Sequence, residues 1–413
     1  MSRLFRPTIS RVEMQSSVPL YGQYDFASVA LGITNLPVVF VYLYIALRIA
    51  RANNVVALII FLHFCLVYIT AMEFILVKFA DQTHYTKAAW YYRSGIVDRV
   101  ILNQHYLPSL IFALFPIPSV ESIESVSMIN VICYTYVYAF LVRKNILVGR
   151  AKWFYLLYPS LMVYSAMALR DGFIMVSMVV GVYFFLKKRY VLAFISHSIL
   201  MIIKFQNFLI FCTAAMLFIL TSPRVSILYR GVIILFVMLG AYYFSDFLTV
   251  NEINRYRRWM YFENHGGTTD GYIPVKDYFD VTVIGLMSAP FMIMRPFPWE
   301  AENLFQLFQS FENIFIDYLI FIAIRQSLIN KNIRSSMWFV NLYFFVGMSI
   351  YGLVTDNFGT AARYKYPFVT FYLVFFLHYF EMDRFKRWMD RVQAYRQWYM
   401  AYWQQQAKIN LPT

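Results

Sequence analysis

An all-α, polytopic transmembrane bundle is the fold the sequence predicts, and three observations predict it. Apolar residues make up 60% of the chain, with a mean hydropathy of +0.54. They fall in successive runs long enough for membrane helices, not in the alternating pattern of half-buried strands. Lys and Arg gather on one alternate set of the segments that join those runs.

The runs, taken in order, predict about eleven crossings: 25–48, 55–79, 126–142, 153–169, 172–186, 190–203, 206–222, 230–249, 304–326, 337–354 and 364–380. The first ends at Arg48 and Arg51, and the second leads to Asp81. Between the second and third lies the polar loop 80–125, in which Leu107–Pro118 is apolar, holds three prolines and is too short to span. That stretch reads as a helix lying in the interface. The runs 153–169, 172–186 and 190–203 fall short of the roughly 20 residues a perpendicular span needs, which points to broken helices or helices deep in the bundle. A second polar loop, 250–303, has turn signals at His265-Gly-Gly and Asp270-Gly271. Its apolar run Val281–Met294 is broken by Pro290, Pro296 and Pro298, as in a re-entrant segment. Residues 1–380 then form one transmembrane domain, followed by a tail, 381–413. In the tail Phe385, Trp388, Met389, Val392, Tyr395, Tyr399, Tyr402 and Trp403 recur at helical spacing among Arg384, Lys386, Arg387 and Arg391. This is an amphipathic basic helix suited to an anionic cytoplasmic leaflet or to a partner.

Charge sets the orientation. With the tail inside, the inward segments hold 20 of the 36 Lys and Arg but only three acids, Glu381, Asp383 and Asp390. The net charge of +14 therefore reports the positive-inside rule and not a nucleic-acid surface. An odd span count places the N-terminus outside, an assignment that Arg3, Arg6 and Arg11 oppose. No cleaved signal is expected, because Ser16, Ser17 and Pro19 interrupt the N-terminal segment. Cys65, Cys133 and Cys212 lie in apolar runs, where thiols act as small hydrophobes.

Against this gradient, several charged groups face outward. Asp81 heads a segment with Tyr85, Trp90, Tyr91 and Tyr92. Arg170-Asp171 tips a hairpin of two short runs, where ionisable residues need a partner or a ligand. It is read either as a tip ion pair closing the hairpin, or as Asp171 orienting Arg170 toward a phosphate. Arg295 precedes Pro-Phe-Pro-Trp299-Glu300, a rigid segment fit for positioning a ligand. Arg255, Arg257, Arg258, Arg363 and Lys365 complete the outward cations. Arg255, Arg257 and Arg258 equally suit contact with ordinary phospholipid. One explanation covers the set: they surround the phosphate or pyrophosphate of a lipid carrier. No HExxH, paired CxxC, P-loop or GxSxG motif is present, and no metal or cofactor is expected.

Asp81…Tyr85…Ala88 with Gly95, directly after an apolar run, resembles the first external loop of the GT-C superfamily, polytopic glycosyltransferases that use polyprenyl-linked donors. More narrowly, Tyr158-Pro-Ser…Leu169-Arg-Asp171, Arg295-Pro-Phe-Pro-Trp-Glu-Ala-Glu-Asn303 with Ser310-Phe-Glu-Asn313, and Asn357-Phe-Gly-Thr…Arg363 resemble Wzy-type O-antigen or exopolysaccharide repeat-unit polymerases. These motifs are short and are spread over about 55–367. The chain departs from the GT-C plan by an extra span before Asp81 and by having no domain after the membrane part, which fits a polymerase better than transfer to protein.

The resemblance implies an enzyme of the bacterial inner membrane with its site on the periplasmic side. Its substrates would be oligosaccharides linked to polyprenyl pyrophosphate, with membrane lipids and a chain-length regulator protein as partners. Asp81 would be the base that accepts the acceptor's proton, with Glu300 second. Arg170, Arg255, Arg257, Arg258, Arg295, Arg363 and Lys365 would hold the pyrophosphate, with Asp171 orienting Arg170. Tyr85 and Trp299 would contact substrate, and Trp299, like Trp90, Tyr91 and Tyr92, also suits an interfacial anchor. The rival readings are a single-sugar GT-C transferase, a lipid-linked saccharide flippase and a structural subunit of an assembly complex.

Overall fold

The computed structural model describes residues 32–71, 80–95, 107–222, 226–228, 230, 231, 234, 235, 249–264, 272–301, 303–355 and 358–409. Within them the chain forms α1 (Leu36–Ala50), α2 (Asn54–Ala71), α3 (Ala80–Arg93), α4 (Ser109–Leu114), α5 (Ile123–Arg143), α6 (Arg150–Leu157), α7 (Pro159–Ser165) and α8 (Asp171–Leu186). There follow α9 (Tyr190–Ile203), α10 (Phe205–Thr221), α11 (Val250–Asn264), α12 (Tyr278–Met294), α13 (Leu304–Ile329), α14 (Lys331–Val354) and α15 (Phe358–Ile409). No strand occurs among the described residues. Helices α2, α5, α13 and α14 are long and apolar enough to cross a membrane, and α1, α8, α9, α10 and α12 are shorter apolar helices. The expected N-terminal orientation, most of the run 230–249 and the turn at 265–271 lie outside the described residues.

Several of the expected elements take a different form, among them the run 281–294, where α12 continues through Pro290 without a break. The run 153–169 is not one helix: Pro159 starts α7, and its ring holds Tyr158 extended (ψ 110°), so α6 stops there. The stretch 107–118 is helical only over α4. Arg93 at the end of α3 donates to the carbonyls of Ala113 (3.1 Å), Phe115 (2.6 Å) and Ile117 (2.8 Å), satisfying acceptors that the end of α4 leaves open.

Burial identifies the centre. From Tyr366 to Leu377 every side chain of α15 is buried, the mark of a helix surrounded on all sides. It packs against α6, α7, α8, α13 and α14, while α5 packs against α1, α2 and α8. The tail does not form a separate helix. Helix α15 runs unbroken from Phe358 to Ile409, so the tail continues the central helix.

The ends of the bundle sort by position. At one end Glu381 accepts from the Arg150 N–H (2.7 Å) and Asp383 accepts from Asn330 (2.8 Å), tying α15 to the start of α6 and the α13–α14 turn. At the other end of the same helix lies Arg363. The 18-residue separation of Arg363 and Glu381 amounts to about 27 Å of helix, close to the thickness of a hydrocarbon core of about 30 Å.

Candidate functional site

The site is built on a deliberate break between two helices. Helix α7 ends at Ser165 and α8 begins at Asp171, leaving groups of the segment 166–169 without the i to i−4 bonds that would satisfy its backbone. Neighbouring side chains supply them instead, as a buried segment requires. The Asn130 amide donates to the carbonyls of Met167 (2.6 Å) and Leu169 (2.7 Å). Gln82 accepts from the Ala168 N–H (3.0 Å), and Thr70 donates to the Ala166 carbonyl (2.9 Å). Gly172 in the first turn of α8 makes room for Asn130, whose side chain occupies the place a Cβ would take. The break therefore holds Arg170 and Asp171 at a fixed place at the head of α8.

Asp171 is buried, 1% exposed. Its carboxylate accepts from Nε of Arg363, which is itself 7% exposed. The Arg363 guanidinium also reaches Asp81, with Nη1 at 2.6 Å from Oδ2. One planar fork thus bridges two carboxylates that lie 90 residues apart in sequence, and it stands 282 residues from Asp81. Asp81 is the open member, its side chain 35% exposed. Tyr85, one helical turn after Asp81, is fully buried, and its ring lies 5.7 Å from the Arg170 guanidinium. Burial pushes the Tyr85 phenol up to about 12, so it stays protonated at neutral pH. Arg170 donates through Nη1 to the Ile203 carbonyl (3.1 Å), while its Nε is buried without a hydrogen-bond partner.

The sequence reading passed over one member of this cluster, Lys204. It is the single extended residue between α9 and α10 (φ −160°, ψ 88°) and is 6% exposed. Its ammonium has no hydrogen-bond acceptor among the described residues. It rests on the ring of Tyr364, 3.1 Å from the centroid, and faces that of Tyr351 at 5.0 Å. Burial, and next the positive charge of Arg170, hold its pKa well below the usual lysine value. Such ring contacts contribute about 2 kcal/mol when desolvated, against a penalty of several kcal/mol for a buried ion, so they do not balance its burial. The cluster carries three cations, Arg170, Arg363 and Lys204, against two carboxylates, Asp81 and Asp171. The available signal for Lys204 was a lone cation between two apolar runs, at the same end of the bundle as Arg170-Asp171.

The other expected residues lie elsewhere. The Arg295 guanidinium binds Glu300, with Nε 2.9 Å from Oε1, and Glu300 also accepts from the Phe297 N–H (3.0 Å). The hydrogen bond between the Arg295 and Glu300 side chains holds the Glu300 carboxyl below the usual range and raises the arginine. Glu300 therefore serves the shape of its own loop and contacts neither Asp81 nor Arg363. The peptide between Arg295 and Pro296 is cis. Trp299 is 80% exposed and stacks on Phe297 (4.9 Å between centroids). Lys365, two residues past Arg363, faces away from the acid pair. It donates to the carbonyl of Ile293 (2.7 Å) and to Asn313 Oδ1 (2.7 Å), and Asn313 in turn donates to the Arg295 carbonyl (3.0 Å). Helix α15 thus carries the cluster on one side and clamps the Arg295 loop on another.

The 255–258 cations are also engaged locally. Arg257 donates to the Leu353 carbonyl (2.9 Å) at the end of α14 and to that of Ile273 (3.2 Å). Arg258 lies over Tyr272 (5.6 Å), and the exposed Arg255 pairs with Glu252 one turn away. Of the expected set, then, Asp81, Tyr85, Arg170, Asp171 and Arg363 come together, and Glu300, Arg295, Trp299, Lys365, Arg255, Arg257 and Arg258 do not join them. Among the described residues no group of three or more His, Cys, Asp or Glu is placed to hold a metal ion. No family model matches the chain, and no curated protein or solved structure matches it.

Proposed function

We propose that the chain is a membrane glycosyltransferase that polymerises oligosaccharide repeat units carried on polyprenyl pyrophosphate, acting at the end of the bundle where Asp81 and Arg363 meet. The observation that carries this reading is the convergence of a half-open carboxylate with buried guanidinium and ammonium groups from four separate parts of the chain. An acid open to solvent suits a hydroxyl acceptor, and cations in excess of carboxylates suit a phosphate-bearing donor.

In the reaction, the acceptor hydroxyl oxygen attacks the anomeric carbon of the donor, and the bond from that carbon to the pyrophosphate oxygen breaks. The electron pair leaves with the pyrophosphate, and the acceptor proton passes to Asp81. Charge then balances inside one cluster. Protonation of Asp81 releases its hold on Arg363 as the leaving pyrophosphate gains a negative charge that the guanidinium can take up. Before that, Arg363 holds the Asp81 carboxylate, and an anion that competes for Arg363 frees it for the proton. Asp171, fully buried, keeps Arg363 in place throughout and is a positioning residue. The periplasmic side of a bacterial inner membrane is the setting this reading requires.

The test is glycan extension in membranes carrying Asp81→Asn. The variant is expected to insert and accumulate normally but to yield only unextended lipid-linked units. A normal ladder of repeat lengths from Asp81→Asn would remove the carboxylate from the mechanism. A single sugar addition by the wild type, in place of a ladder, would assign the chain to the single-sugar transferase class.

A further inference from the structure

Lys204 has no task in the cluster as it stands. The Arg363 fork already joins Asp171 and Asp81, and the Lys204 ammonium rests on tyrosine rings instead. Its backbone needs no lysine either, since the Lys204 N–H and carbonyl make ordinary bonds to Leu200 (2.8 Å) and Asn207 (2.9 Å). The Tyr351 hydroxyl is committed to Asn207, so that ring offers the ammonium only its face. Close by, Arg170 directs one hydrogen bond to the Ile203 carbonyl, the residue before Lys204, and leaves Nε unpartnered. The half-buried Arg170 at the head of α8, whose N-terminal end favours negative charge, and the buried Lys204 between α9 and α10 therefore stand close together with donor capacity to spare.

We propose that Lys204 and Arg170 together bind a phosphoryl oxyanion, and that Lys204 is retained for this ligand at the expense of the stability of the empty protein. The inference rests on the reading of the cluster as a site for a phosphate-bearing substrate, and adds a residue and a thermodynamic signature to it. A residue kept for structure stabilises the free fold. An uncompensated buried cation does the reverse and stabilises only when its anion arrives, since a ligand that binds the folded state raises its stability by mass action.

The test is thermal unfolding of the full chain in phosphatidylcholine nanodiscs, with and without inorganic pyrophosphate or inorganic phosphate, for the wild type, Lys204→Met, Lys204→Arg and Arg387→Ala. Without anion, Lys204→Met is expected to unfold at a higher temperature than the wild type. With pyrophosphate the wild type rises and Lys204→Met does not, so the order reverses, whereas Lys204→Arg and Arg387→Ala keep the response. Lower stability of Lys204→Met in the absence of anion, or its failure to fold, would overturn the proposal by making Lys204 a structural residue. An equal pyrophosphate response in wild type and Lys204→Met would overturn it while leaving the site reading intact, and no response to either anion in any variant would count against both. Nanodiscs of phosphatidylglycerol separate the two sources of the anion. A rise there without added anion, and no further response to pyrophosphate, would assign the pair to ordinary lipid headgroups and overturn its role toward substrate.

Discussion

The bridge between Asp171 and Arg363 lends itself to a double-mutant cycle. Asp171 is 1% exposed and Arg363 is 7% exposed, so water does not screen their interaction. Breaking such a pair by removing one partner leaves a charge stranded in the interior, at about 3–5 kcal/mol. Arg363→Met strands Asp171 fully, whereas Asp171→Asn leaves Arg363 with Asp81 and belongs at the low end of that range. Asp81, 35% exposed, is rehydrated at little cost when the fork is gone. The double variant Asp171→Asn/Arg363→Met strands nothing, and its destabilisation is expected to be close to that of the milder single variant. The coupling then equals the cost of Arg363→Met, about 5 kcal/mol, more than a thousandfold in the unfolding equilibrium. Reversible unfolding in mixed micelles, followed by tryptophan fluorescence, measures all four corners. Single effects that add to within about 0.5 kcal/mol would refute a direct buried pair and, with it, the placement of Asp171 as the group that holds Arg363.

Other outcomes follow from the same geometry. Gly172→Ala puts a methyl group where Asn130 lies and should weaken the bonds to Met167 and Leu169, costing about 1–3 kcal/mol and reducing glycan extension more than protein level. Arg93→Ala removes four bonds to carbonyls at and after the end of α4, and hydrogen exchange should rise across 109–118 while the protection of α5 is unchanged. The Arg295–Glu300 bridge lowers the Glu300 carboxyl pKa, so its contribution is present above the ordinary carboxylate range and is lost as pH falls through the lowered value. Because Arg295 is 44% exposed, the difference in stability between wild type and Glu300→Gln should stay under about 1 kcal/mol at neutral pH and vanish in acid.

Much of the fold is legible in the chain. The helical runs follow from apolar length alone, and the shortness of 153–169 together with Pro159 signals a broken element. The continuity of α15 into the tail was also written there, since no Gly or Pro occurs between Phe368 and Ile409. The amphipathic pattern after Glu381 drew attention to a change of surroundings, which is not a change of backbone. For the site, charges at the outward ends of apolar runs marked Asp81, Arg170, Asp171 and Arg363, because an ionisable residue at that depth needs a partner. The same rule applied to Arg295 and Glu300 names candidates but cannot tell a ligand-binding arginine from one satisfied five residues away.

Sequence by itself determined which stretches become helices, which ends carry charge and that the backbone breaks at Pro159, because hydropathy, proline geometry and desolvation cost are properties of local segments. Only the tertiary structure decided that Arg363 bridges Asp81 and Asp171, that Lys204 is walled in by tyrosine rings, and that Arg295 is consumed by Glu300. Pairings across hundreds of residues depend on how the helices pack around the centre of α15. No local property of the chain encodes that packing.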